Sequence, residues 1–261
     1  MVGQVRVEAA TGAGWSDLVD ELDRWGEAGR TAALWWRDDD AVAATPKLGD
    51  VLRLAGEAPI AVAVIPALAR PELAGALLES ERVAVLQHGW QHANRAASGK
   101  KSEYPEGRPA AVVGAEIGAG RARLKALFGS RALPVFVPPW NRLACEILPQ
   151  LREHGIAGLS TIASRRRATP PRGLVAIDVH VDVVAWQGNR GFIGAAAALG
   201  RLVGCLHMVR VASGAAASLP VGILTHHLIM DRATAAFLDR LVALVAGHRA
   251  ARWASVAEFI R

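Results

Sequence analysis

Two histidines four residues apart are the clearest candidates for chemistry in the sequence. His88 and His92 lie in the segment VLQHGWQHANR, directly after an apolar run that is typical of a buried strand. Three consecutive carboxylates, Asp38, Asp39 and Asp40, follow another apolar run, TAALWW. One carboxylate with two imidazoles suits zinc or a similar divalent ion and leaves coordination positions open. The sequence therefore predicts a metal centre, provided that the two segments meet in the fold.

Hydrolysis is the chemistry that such a centre would serve. A divalent ion with open positions polarises both a substrate carbonyl and a water molecule. A second carboxylate could accept the proton of the water, and a separate histidine could protonate the leaving group. Each feature alone has an ordinary explanation, because a His-x3-His pair is commonly incidental in a loop and an aspartate run is commonly a solvated turn. Their conjunction favours the functional interpretation.

The elements that must position these residues alternate between strand-like and helix-like segments, which predicts a parallel sheet covered by helices. Apolar runs predict strands near 31–36, 60–66, 82–87, 133–139, 157–161, 174–181 and 222–226. Helices are predicted at 45–56, 71–80, 109–129, 143–155, 232–247 and 256–261. About seven such units predict an α/β fold, a distorted (β/α)7 barrel of mostly parallel strands with outer helices. We expect one catalytic domain spanning residues 1–261.

Reactive side chains concentrate at the carboxyl ends of the predicted strands, where barrel enzymes carry their chemistry. The residues at or just beyond these ends include Asp38, Asp39, Asp40, His88, His92, Trp140, Asp178, His180, Asp182, Trp186, His226 and His227. Five of the eight histidines of the chain belong to this set. No comparable set is found where the predicted strands begin, and this asymmetry is the strongest indication of a single active site.

The composition is that of a globular protein, with 52% hydrophobic and 21% charged residues. No apolar stretch is long enough to predict a transmembrane helix, and the N-terminal residues lack the pattern of a secretory signal. We therefore expect a cytoplasmic protein with no membrane partner. Cys145 and Cys205 lie far apart in sequence, which favours free thiols over a disulfide framework or a zinc finger.

The net charge of +6 raises the question of a nucleic-acid partner. Most basic residues are scattered arginines, aromatic residues make up only 5% of the chain, and no basic segment is interleaved with aromatic residues. We therefore expect no nucleic-acid partner. The one dense cluster, Arg165–Arg167 with Arg172, is either a solvated loop or an anion-binding site.

Five segments in order resemble the motifs of the polysaccharide deacetylase family, that is, carbohydrate esterase family 4 of the chitooligosaccharide deacetylase type. WRDDDAVAATPKL is similar to T-F-D-D-G-P with a threonine that opens the next helix, and HGWQH resembles H-[ST]-x-x-H. VPPWNR resembles R-P-P-Y, DVVAW resembles D-x-x-D-W, and ILTHH resembles a strand ending in L-x-H. No single motif is specific, but the ordered set is, and it spans residues 37–227.

The resemblance implies an enzyme with a resident divalent metal ion, for which zinc is expected. Matched by position, Asp38 would be the general base, and the ion would be held by Asp39, His88 and His92. Counting back from the threonine of the first motif gives this register. Strand alternation would instead place Asp38 and Asp40 on one face, so Asp40 is the alternative ligand.

The remaining motifs imply His226 as the catalytic acid and a backbone N–H near Trp140 as a donor to the oxyanion. Asp182 opens the fourth motif and is a further catalytic candidate. Two departures affect the base: Val137 stands where the third motif has arginine, and Ala185 stands where the fourth has its second aspartate. In the family these two residues orient the base, and losing both is coherent because losing one would leave an unpaired charge.

Gly89 is a third departure from the family pattern, because the family has Ser or Thr at this position. Arg142 and Asp182 are candidates for a pair that replaces the missing arginine and aspartate. The metal ligands are retained in either register.

The function predicted from the resemblance is removal of an N-acetyl or O-acetyl group from a sugar or glycoconjugate by a metal-dependent deacetylase. A small carbohydrate or glycoconjugate inside the cell is the expected partner, and the sequence does not predict the oligomeric state. Two alternatives remain. The same site could hydrolyse a non-sugar amide, or the barrel could be a non-catalytic carbohydrate-binding or scaffold protein, which the residues at 137 and 185 would favour.

Overall fold

The computed structural model describes residues 12–163 and 173–260. Its strands are β1 Ala32–Ala41, β2 Ile60–Val64, β3 Val83–His88, β4 Ala132–Val137, β5 Gly158–Leu159, β6 Val175–Ala176, β7 Val181–Asp182, β8 Val221–Thr225 and β9 Ala251–Trp253. Its α-helices are α1 Trp15–Glu27, α2 Pro46–Ala55, α3 Glu72–Leu78, α4 Ala110–Phe128, α5 Leu148–Glu153, α6 Ala195–Val211 and α7 Arg232–Gly247. The basic cluster Arg165–Arg167 with Arg172 lies outside the described residues.

The strands form one parallel sheet in the order β6-β5-β4-β3-β2-β1-β8-β7, with β9 paired to the start of β1. Both outer strands come from one short segment of chain. On one side, β6 pairs with β5, and the N–H of Val179 donates to the Thr161 carbonyl. On the other side, the N–H of His180 donates to the Gly222 carbonyl, and β7 pairs with β8. Residues 175–182 therefore cross from one sheet edge to the other and close the curve. This confirms the predicted distorted (β/α)7 barrel of parallel strands.

The side chains of β1 alternate between the barrel interior and the surrounding helices. Trp35 belongs to the apolar cluster inside the barrel, whereas Leu34 and Trp36 belong to the larger cluster between the sheet and the helices. Because side chains alternate along a strand, Arg37 and Asp39 share the inner face with Trp35. The same sequence pattern thus carries a buried strand and delivers charged residues to the interior at its carboxyl end.

Several elements differ from the sequence-based expectation. β1 continues through the aspartates to Ala41, so these residues end the strand instead of following it. The predicted helix at 143–155 is a 3₁₀ turn followed by the short α5, and the predicted helix at 256–261 is a 3₁₀ turn at Val256–Phe259. Helices α1 and α6 and strand β9 were not anticipated. No described helix combines the length and the apolarity needed to cross a membrane.

Candidate metal centre

Asp40, His88 and His92 meet at the carboxyl ends of β1 and β3. One ligand atom from each lies within 4.8 Å of the other two. The Asp40 Oδ1 atom lies 3.1 Å from His88 Nε2 and 3.3 Å from His92 Nε2. Because two imidazole nitrogens converge on one carboxylate oxygen, the donor set fits a divalent ion of the zinc type.

The backbone at two of these residues adopts the left-handed conformation. Asp40 has φ 74° and His92 has φ 56°. Positive φ is uncommon for residues other than glycine, and it persists where the surrounding structure holds it, often at functional sites. At Asp40 it ends the regular alternation of β1, and the Asp40 side chain reaches the two histidines.

A hydrogen bond fixes the orientation of the His88 ring. Nδ1 donates to the backbone carbonyl of Val137, 3.0 Å away, and Nε2 faces Asp40. A carbonyl that accepts from the far nitrogen is the usual support of a metal-binding histidine, because it sets the tautomer and the ring direction. Position 137 thus lacks the arginine of the family motif, but the backbone carbonyl of Val137 orients His88.

The charges at the centre act on one another. Burial opposes ionisation of Asp40, but the hydrogen bond from His88 and the charges of His88, His226 and His92 outweigh it and hold the pKa of Asp40 well below its usual range. Burial also opposes the charged form of His88, but Asp39 and Asp40 raise its pKa. Burial and the neighbouring His88 lower the pKa of His92. The carboxylate is therefore ionised and available to a cation.

Asp39, the expected ligand, lies with Arg37 inside the barrel and not with the histidine pair. Arg37 Nε lies 2.9 Å from Asp39 Oδ1, and Nη2 donates to Oδ2 at 3.0 Å. Nη2 also donates to Asn141 Oδ1, and Nη1 donates to the carbonyl and the hydroxyl of Ser160. The group of potential ligands in the structure contains Asp40, the alternative from the sequence, because strand alternation turns Asp39 inward and the left-handed backbone at residue 40 turns its side chain to the histidines.

Asp38, the expected base, contacts residues that follow β8. His227 Nδ1 donates to Asp38 Oδ1 at 2.5 Å, and the Thr225 hydroxyl donates to Oδ2 at 2.6 Å. Thr225 in turn accepts from the Trp36 indole N–H at 2.8 Å. Asp38 and His227 are both fully buried. The hydrogen bonds of Asp38 thus join β1 to the end of β8. Asp39 instead contacts Arg37, and Asp40 contacts the two histidines.

His226 directly follows β8, whose last residue Thr225 pairs with Asp38 of β1. Its ring packs edge-on against Trp186 with centroids 4.8 Å apart. Its Nδ1 atom is buried and has no hydrogen-bond partner among the described residues. Asp182 accepts from the Trp186 indole N–H at 2.7 Å and from the N–H of Val184 at 3.0 Å. Asp182 therefore contacts the tryptophan that packs on His226.

The segment after β4 forms another wall of the site. The Trp140 ring packs against His92 with centroids 4.3 Å apart, and Trp140 and Asn141 both have positive φ. Arg142 donates to the Lys101 carbonyl. Trp140 thus contacts a histidine of the candidate centre, and Arg37 pairs with the carboxylate of Asp39.

Several residues of the site were given no catalytic or metal-binding role from the sequence: Arg37, Asn141, Ser160, Glu103 and His227. Arg37 carried a signal that could have been used, because a charge inside a run of buried strand residues must find a partner. The others lie in loops, where no periodic pattern indicates which side chain turns inward.

The fold is shared with several solved structures. A Mycobacterium smegmatis protein described as a polysaccharide deacetylase matches with TM-score 0.66 and 17% identity, covering 97% of this chain and 93% of its own. A family 4 acetyl xylan esterase from Clostridium thermocellum, in complex with a cobalt ion, matches with TM-score 0.52 and 13% identity over 87% of this chain and 89% of its own.

A peptidoglycan N-acetylglucosamine deacetylase in complex with an N-hydroxybenzamide matches with TM-score 0.54 and 14% identity, over 88% of each chain. No protein-family model matches the sequence, and no curated protein is similar to it in sequence. The resemblance to polysaccharide deacetylases is thus confirmed for the fold over most of the chain, at low sequence identity.

Proposed function

We propose that the protein is a metal-dependent hydrolase that removes an acetyl group from an N- or O-acetylated sugar or glycoconjugate. The observation that carries the proposal is the convergence of Asp40, His88 and His92 at the carboxyl end of a barrel shared with deacetylases and acetyl esterases. A divalent ion held there, for which we propose zinc, would supply a Lewis acid for the acetyl carbonyl and an activated water.

Asp39 is the general base in this proposal. It follows Arg37 on the inner face of β1 and precedes the proposed ligand Asp40. The Arg37 guanidinium contacts both of its oxygens and fixes the direction of the carboxylate. An oriented carboxylate beside the centre can accept the proton of the attacking water. Asp38, the base expected from the sequence, instead forms hydrogen bonds with His227 and Thr225 at the end of β8.

His226 is the proposed acid that protonates the leaving group. It lies on the β8 side of the centre, while His88 and His92 lie on the β3 side. Trp186 packs against its ring, and Asp182 holds the Trp186 indole, so we propose that these two residues position His226. A backbone N–H near Trp140 remains the proposed donor to the oxyanion.

The test measures acetate release by zinc-loaded protein from N-acetyl and O-acetyl sugars and from a non-sugar acetamide. We expect His92→Ala to lose metal and activity, and His226→Ala to keep the metal and lose turnover. His207→Ala is the matched control, because His207 is exposed on helix α6. Full activity of His92→Ala would contradict the proposal.

The panel also separates the alternatives. Turnover of the acetamide alone would favour a non-sugar amide hydrolase, and sugar binding without acetate release would favour a non-catalytic protein. The buried Arg37–Asp39 pair speaks against the non-catalytic alternative, because it supplies the oriented carboxylate that the loss of the family arginine had put in doubt. Cytoplasmic location stays a prediction that cell fractionation would test.

A further inference from the structure

The loop that joins His88 and His92 folds around a buried carboxylate. Glu103 is 1% exposed. Its Oε2 atom accepts from the N–H of Trp90 at 3.1 Å, and its Oε1 atom accepts from the N–H groups of Gln91 at 2.8 Å and Ala93 at 3.4 Å. Consecutive backbone N–H groups that converge on one anion hold it tightly and are themselves held by it.

Gly89 makes room for this carboxylate. A Cβ atom at residue 89 would lie 2.1 Å from Glu103 Oε2 and 2.6 Å from Pro139 Cγ, far inside van der Waals contact. Gly89 also has φ 57°, a conformation that other residues adopt at a cost. A Ser or Thr side chain at this position would therefore compete with the Glu103 carboxylate for the same space.

The segment that carries Glu103 is itself fixed. The Arg95 N–H donates to the Ser102 carbonyl at 2.8 Å, and Tyr104 is fully buried. The nearby cation Arg108 donates to the Glu103 backbone carbonyl and forms two 2.8 Å contacts with the Glu116 carboxylate. Within the described part of the chain, the Glu103 carboxylate thus accepts its hydrogen bonds from the histidine loop.

We propose that Glu103 is a positioning residue of the metal centre. Its carboxylate holds the backbone of residues 90–93. This backbone in turn fixes the left-handed conformation of His92 and the distance between His92 Nε2 and His88 Nε2. The inference rests on the proposed function in that the two histidines serve a metal ion. It goes beyond that function by assigning the preorganisation of the ligands to a carboxylate that does not belong to the ligand set.

The test compares the dissociation constants of Zn²⁺ and Co²⁺ for the full-length protein, Glu103→Gln and Glu106→Gln, by titration calorimetry. The amide of glutamine offers one acceptor and two hydrogens, so it cannot accept from all the loop N–H groups. We expect 10- to 100-fold weaker binding, the range found when a partner of a metal ligand is lost. Glu106→Gln is the matched control, because Glu106 is exposed on the same segment and the charge change is identical.

Two further readouts separate positioning from general destabilisation. The visible absorption spectrum of bound Co²⁺ at saturation should change in Glu103→Gln and stay unchanged in Glu106→Gln. Hydrogen exchange at the amides of residues 90, 91 and 93 should accelerate in Glu103→Gln, with or without metal. If Glu103→Gln does not fold, Glu103→Asp decides, since it keeps the charge but shortens the reach and should still weaken metal binding.

The outcomes distinguish this inference from the proposed function. Metal binding and Co²⁺ spectra in the folded Glu103 variants equal to those of the parent protein would overturn the positioning role and leave the proposed function intact. A parent protein that binds neither ion would overturn both. A parent protein that binds metal but releases no acetate, with weakened binding in Glu103→Gln, would support the positioning role and contradict the proposed function.

Discussion

Replacing Arg37 by methionine tests whether the pair inside the barrel is a mutually dependent unit. Methionine keeps much of the apolar length of the side chain and removes the guanidinium. Arg37 is 0% exposed and Asp39 is 1% exposed, so water cannot replace the lost contacts. Removal of one member of a buried ion pair typically costs about 3–5 kcal/mol, because the other charge is left uncompensated. We expect Arg37→Met to lower the free energy of unfolding by about 4 kcal/mol.

The assay is urea unfolding of metal-free protein, followed by far-UV circular dichroism at neutral pH. The double variant Arg37→Met/Asp39→Asn should recover much of the loss, since no buried charge is then left unpaired. The matched control is Arg53→Met, because Arg53 pairs with Asp50 on the surface and such pairs are worth about 0–1 kcal/mol. An Arg37→Met loss no larger than that of Arg53→Met would refute the reasoning, and so would a double variant less stable than Arg37→Met.

Three further predictions follow from buried or strained positions. Gly89→Ala should lower the free energy of unfolding by about 2 kcal/mol or more, because the left-handed backbone disfavours alanine and its Cβ would overlap Glu103 and Pro139. The control Gly49→Ala in helix α2 should raise it by about 0.5–1 kcal/mol. Equal effects of the two substitutions in urea unfolding would contradict this prediction. His227→Leu should lower the free energy of unfolding by about 3–5 kcal/mol in the same assay, because the buried Asp38 carboxylate loses its imidazole partner. The variant should still bind metal. Loss of metal binding by a stably folded variant would show that the His227–Asp38 pair belongs to the metal centre. Burial raises the pKa of the Cys205 thiol to about 11, so at pH 8 only about one thiol in a thousand is ionised. In a Cys145→Ser protein, mass spectrometry should therefore detect little labelling of Cys205 by iodoacetamide at pH 8 and faster labelling as the pH rises toward 11. Rapid labelling at pH 8 would contradict the burial of this thiol.

The barrel could be predicted from the sequence because its strands are near-continuous apolar runs separated by helices. Such runs arise when both faces of a parallel sheet are covered, as in β2, where all five residues are buried. The two-residue strand β5 was anticipated as the longer strand 157–161, and β6 and β7 were anticipated as one strand, 174–181, because periodicity does not show where backbone pairing stops. Helix α6 was missed, and it begins after Gly194 without a capping side chain, one of the usual signals of a helix start.

The histidines of the candidate centre could be predicted because their spacing is local, but the register of the aspartates could not. Alternation would place Asp38 and Asp40 on one face, and counting from the helix start selects Asp38 and Asp39. The structure groups Asp40 with the histidines, as the alternative register had it, but through the left-handed backbone at Asp40 and not through regular alternation. The φ angle of Asp40 thus determines which aspartate meets the histidines. The residue types of the segment do not predict this angle, because aspartate only tolerates positive φ better than most residues do.

The departure from the family motif at residue 137 is explained by the position of Arg37. Val137 belongs to the apolar cluster inside the barrel together with Trp35, and Arg37 follows Trp35 on the same inner face. A second arginine at position 137 would place another cation in an interior whose carboxylate is already engaged at both oxygens. A buried charge without a partner is strongly unfavourable, so an arginine at 37 and an arginine at 137 exclude one another. Valine at 137 is therefore compatible with an interior whose arginine lies on β1, where Arg37 contacts the proposed base Asp39.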